Sequence, residues 1–212
     1  MQKASLGLSE QSLLGWLLVA GPALFMIGAV GWKPWDFDRP LAHALPRIAA
    51  QPLLWRWIHG WIALGVVVTA ASVSSFQSYA RELGERTVAP FAAVLYALGA
   101  GAMLLTLTFR VTVEVAAAGQ TVAEGRVPTV YLPLHHWAGM LFGSHLLLSH
   151  MAAVALGISL LRTGSLQAWV GPSAIALGLT LGTGYAALGG VFSMPVLAQI
   201  VPFILGIALL RR

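Results

Sequence analysis

Residues 131–151 read YLPLHHWAGMLFGSHLLLSHM. Most positions are apolar, and no Asp, Glu, Lys or Arg occurs between Arg126 and Arg162. As a helix, residues 132–161 would be roughly 45 Å long at 1.5 Å per residue, against about 30 Å for the hydrocarbon core of a bilayer. The stretch therefore reads as a membrane-crossing helix that must tilt, protrude or break near Pro133. Yet it carries His135, His136, His145 and His150. An imidazole in such a segment must be hydrogen-bonded, face a cavity, or ligate a metal or cofactor.

The same apolar pattern repeats on both sides of this stretch. Spans at about 13–30, 55–76, 88–109, 132–161, 169–188 and 196–210 predict an all-α, polytopic integral membrane protein, a six-transmembrane-helix bundle forming one domain over 1–212. Composition agrees: 58% of the 212 residues are hydrophobic and 9% charged, where a soluble domain carries about 25% charge. So little charge cannot cover a water-exposed surface, so the expected surroundings are a lipid bilayer. The first span exceeds the roughly 7–15 apolar residues of a signal-peptide core and reads as a retained helix.

Residues 32–54 and 110–130 read as long loops. Trp32, Trp35 and Phe37 place the first at the membrane interface, while Gly119, Gly125 and Pro128 interrupt any helix in the second. Trp55, Trp57, Trp61 and Trp137 fall at the same depth and read as an aromatic belt. Two small-residue stripes, Ala93–Ala97–Gly101 and Ala174–Gly178–Gly182–Ala186–Gly190, predict close helix packing.

Lys and Arg exceed Asp and Glu, for a net charge of +5, but they stand singly between spans. The clustered footprint of nucleic-acid binding is missing. Six spans put both termini on one side. The longer loops lie on the other, so the expected location is a bacterial inner membrane with both termini cytoplasmic. The absence of Cys excludes disulfides and thiolate metal sites. No charged residue falls centrally in a span, so no buried carboxylate is expected. That counts against proton- or sodium-driven transport. HExxH, GxGxxG and GxxxxGK[ST] are absent.

Histidine is the remaining chemistry. At 100° per residue, His136 and His150 lie within about 40° of one helix face, and His145 points to the opposite side. His59 lies about as deep in the second span as His136 in the fourth. Two imidazoles at matching depth can ligate one metal from opposite sides. A copper or zinc site from His43, His135 and His136 is an alternative.

Two histidines fourteen apart on one helix, as His136 and His150 are, with Gly139 and Gly143 between them, resemble the haem-holding helices of membrane b-type cytochromes. In that family a second helix supplies a matching pair. Here the residue fourteen beyond His59 is Val73. The resemblance implies one haem b with His59 and His136 as axial ligands, and a second haem, a quinone or a structural role for His150 and His145. It also implies electron transfer between a quinone-type carrier and a partner protein. A one-residue slip at Pro133 would put His135 in the place of His136. A chlorophyll-type pigment needs only one axial His and fits the ligand count equally. The contrasting expectation is a scaffold or accessory subunit with no cofactor, packed against other membrane subunits.

Overall fold

The computed structural model describes residues 8–30 and 41–211. They form eight α-helices and no strand: α1 (Leu8–Val30), α2 (Leu41–Ala50), α3 (Pro52–Glu82), α4 (Val88–Phe109), α5 (Val115–Glu124), α6 (Tyr131–Thr163), α7 (Val170–Leu188) and α8 (Ile200–Leu210). A π-helical turn, Arg110–Glu114, joins α4 to α5, and a 3-10 turn, Pro195–Gln199, leads into α8. Four helices are long and apolar enough to cross a membrane: Glu10–Val30, Pro52–Glu82, Val88–Glu124 and Tyr131–Thr163. The 19-residue α7 and the segment Pro195–Leu210 are shorter.

α8, α1, α3, α4, α6 and α7 form a ring in which each helix packs on the next. Closeness is set by glycine. A Cβ on Gly65 would lie 2.7 Å from the Gly21 carbonyl oxygen, so α1 and α3 meet backbone to backbone. Gly157 and Gly171 do the same for α6 and α7, and Gly15 and Gly206 for α1 and α8. Many exposed side chains on these helices are apolar, and where such faces meet lipid, van der Waals contact of this kind is what holds helices together.

Several expectations are corrected. The segment read as a loop over 110–130 is helical to Glu124. Gly119 sits inside α5, and Gly125 ends it in the left-handed conformation at φ 69°, as a glycine without Cβ strain can. Within 32–54, the amphipathic helix α2 packs on α5. Its neighbours Trp32, Trp35 and Phe37 lie outside the described residues. Pro133 does not break α6. It occupies the first turn, where a missing N–H costs nothing. The helix runs unbroken for 33 residues. Of the stripe Ala93–Ala97–Gly101 only Ala93 is buried; Ala97 and Gly101 are exposed, and α4 packs through Ala92, Tyr96, Gly99 and Met103. The α7 stripe does pack at Ala174 and Gly178, the latter against the His150 carbonyl.

Candidate functional site, the groove at His59

α3 carries His59 one turn beyond Trp55, and the i,i+4 spacing brings the two rings together on one face, tilted by 50° with centroids 4.3 Å apart. His59 is buried, at 1% exposure. Its Nδ1–H donates to the Trp55 carbonyl at 2.7 Å, which fixes both tautomer and ring orientation. Trp55 is buried too, against the expectation of a belt residue. Its indole N–H donates to the Arg110 carbonyl at 3.0 Å. That carbonyl belongs to the π turn, where the extra residue disturbs the regular hydrogen-bond ladder.

Between α3 and α4 runs a groove of about 660 Å³, open at the surface of the bundle. Arg56, His59, Thr108 and Thr112 give it polar edges, while Ala63, Leu104, Leu107 and Val111 give it an apolar floor. A Cβ on Gly60 would meet nothing within 4 Å, so the wall is low there.

The structure disperses the other predicted residues. His136 is exposed on α6 and does not line this groove. α4 packs between α3 and α6, which touch at few points. His135, half-buried, is the more inward of the adjacent pair. His145 is fully buried, and its Nδ1–H donates to the Gly99 carbonyl at 3.0 Å, tying α6 to α4. His150 is buried against α7, where its backbone meets Gly178 and its Cβ lies near Gly182. The Nε2 atoms of His145 and His150 are buried with no hydrogen-bond partner among the described residues. Gly139 faces open space, whereas Gly143 is covered by the Tyr185 hydroxyl. Among the described residues no three His, Asp or Glu gather into a metal-binding group. The site expected from His43, His135 and His136 is therefore not formed.

Two polar features near the bundle's helices escaped sequence reading, besides the buried Glu85 in the turn between α3 and α4. A buried carboxylate exists after all: Glu114, at 3% exposure, in the π turn. It pairs with Arg110 at 3.3 Å and accepts the Tyr131 hydroxyl at 2.8 Å, and His135 Nδ1 lies 3.2 Å from that hydroxyl. The i,i+4 spacing of Arg110 and Glu114 was a usable signal for the pair, hidden by reading the segment as a loop. The second feature lies inside the ring. Gln199 Oε1 accepts from Thr69 at 3.1 Å and from Tyr96 at 3.4 Å, joining the last segment to α3 and α4. No spacing in the sequence announces it.

Compared with family models, curated proteins and solved structures, the chain has no match.

Proposed function

We propose that the protein is a membrane redox subunit of the b-type cytochrome kind, in which the groove at His59 receives a planar, lipid-soluble group and electrons pass between a quinone-type carrier and a partner membrane subunit. One observation carries the reading: a buried imidazole, oriented by a backbone carbonyl, lines a surface-open groove of about 660 Å³ with an apolar floor. A metal-binding histidine is commonly held this way, with Nδ1–H committed to a carbonyl that fixes the orientation of its ring.

The groove suits a group that asks for one imidazole. Haem b, when bound, supplies a one-electron couple whose potential follows ligation and burial. His59 would hold its iron on one side. His136 does not line the groove, so the pairing of His59 with His136 does not fit. A quinone or a chlorophyll-type pigment places a smaller demand on the donor set. His145 and His150 fit a macrocycle less well, because α4 and α7 pack closely there: a Cβ on Gly178 would lie 2.7 Å from the His150 carbonyl.

In this reading the ring crosses the bilayer six times, with α7 and Pro195–Leu210 as its short members. Both described ends lie together, since Gln11 donates to the Leu209 carbonyl at 3.2 Å. We assign that end to the cytoplasmic face of a bacterial inner membrane. The second reading, a scaffold or accessory subunit, is favoured by the glycine contacts and by the His145–Gly99 bond, which is structural as it stands.

The test is an absorption spectrum of protein purified in mild detergent, oxidised and then dithionite-reduced. A Soret band that sharpens on reduction, with about one haem per chain, is expected for haem b. A far-red band without redox change would indicate a pigment. A featureless spectrum, together with no binding of a quinone analogue by folded protein, would refute the redox reading and leave the scaffold.

A further inference from the structure

On the outer face of α3 a second groove, about 430 Å³, is lined by Leu53, Arg56, Trp57, Gly60, Trp61 and Leu64. It meets the His59 groove at Arg56 and Gly60, which border both. Trp57 and Trp61 stand one turn apart with their rings edge to face, centroids 5.4 Å apart. Trp57 is 63% exposed, so the groove is open on its outer side. Arg56 is exposed, and no carboxylate pairs with it among the described residues. Elsewhere at this end, Arg110 and Arg126 each have a carboxylate, Glu114 and Glu124, at 3.3 Å.

We infer that this face of α3 binds an anionic phospholipid, with the phosphate on Arg56 and an acyl chain in the Trp57–Trp61 groove. Charge complementarity selects the headgroup: the guanidinium offers paired N–H donors to phosphate oxygens, and a net negative lipid gains where a zwitterionic one cancels itself. Gly60 leaves room for the chain, since a Cβ there would meet nothing within 4 Å and the groove stays open beside the two indole rings. Indole rings at this depth hold the boundary between acyl chain and headgroup. The lipid would form the outer rim of the His59 groove without occupying it. The inference does not depend on a redox group.

The test is native mass spectrometry of the full chain released from nanodiscs of equal phosphatidylglycerol and phosphatidylcholine. The wild type is expected to retain phosphatidylglycerol preferentially, at least fivefold, with one molecule dominant. Arg56→Gln is expected to abolish the preference. Gly60→Leu, which fills open space and leaves the charge, is expected to lower retention of the bound lipid severalfold. Arg81→Gln, an exposed arginine at the far end of α3, is expected to behave as wild type. Equal retention of both lipids by the wild type, or an undiminished preference in Arg56→Gln, would overturn the site. Circular dichroism and melting of each variant separate loss of the site from loss of fold. A wild type with the lipid preference but a featureless spectrum and no binding of a quinone analogue would leave this site standing and remove the redox reading.

Discussion

Glu85 shows how a single side chain can close a turn. It lies between α3 and α4 at 6% exposure and accepts from the amides of Thr87, Val88 and Ala89 at 3.0, 2.9 and 2.6 Å. Burial alone would raise its pKa, but the hydrogen bonds from Val88, Ala89 and Thr87 outweigh it and bring the value from 4.5 down to about 2. A carboxylate depressed in the folded state stabilises fully above its unfolded value, and that stabilisation disappears as pH falls through the folded value. Melting in detergent should therefore lose stability between about pH 4.5 and 2, and Glu85→Gln should flatten that loss. At pH 7, Glu85→Ala should cost about 2 kcal/mol, because it leaves the first amides of α4 without their acceptor. Tyr131→Phe belongs to the same scale. It removes the 2.8 Å bond to buried Glu114 and should cost about 1–3 kcal/mol by thermal melting. Neither role is visible in sequence, since each depends on a partner brought close by a turn. The i,i+4 spacing of Trp55 and His59 puts both on one helix face, but the spacing does not say that the face is buried, and Trp55 was read instead as part of an aromatic belt.

At the scale of the element, the glycines separate into two kinds. Gly178 is a contact: an added Cβ would lie 2.7 Å from the His150 carbonyl and from Val154 Cγ2. Gly178→Ala should destabilise by about 1–3 kcal/mol, the cost of overpacking a close interface. Gly60 has no neighbour within 4 Å, so Gly60→Ala should be neutral or stabilise by up to ~1 kcal/mol through helix propensity. Paired melting curves in one detergent check both. A four-residue spacing of small residues shows that a face can pack, not that another helix lies on it. That is why each stripe holds only in part: Ala174 and Gly178 pack in α7 and Ala186 does not, while Ala93 is buried in α4 and Ala97 and Gly101 are not. α5 was missed for a related reason. Gly119 weakens a helix locally, and packing of α2 on α5 outweighs that weakness.

At the scale of the molecule, apolar length and scarce charge were enough to give an all-helical protein; of the six spans they suggested, four are helices long and apolar enough to cross a membrane, and α7 and Pro195–Leu210 are shorter. Pairwise placement was beyond them: matching depth of His59 and His136 says nothing about α4 standing between their helices. Six crossings predict that cysteines placed at Arg86 and Arg211 react with an impermeant maleimide from one side of sealed vesicles. Cysteines at Arg126 and Leu188 should react from the other. The native chain has no Cys to interfere. Leu188 labelling from the same side as Arg211 would remove two crossings.

The central claim is that the working site is the α3–α4 groove and its His59. It is tested most directly by comparing reduced-minus-oxidised spectra of His59→Ala and His136→Ala with wild type, at equal folded protein. The account predicts that His59→Ala loses most of the redox-active absorbance and that His136→Ala keeps it. Full absorbance in His59→Ala, or its loss in His136→Ala alone, would contradict it.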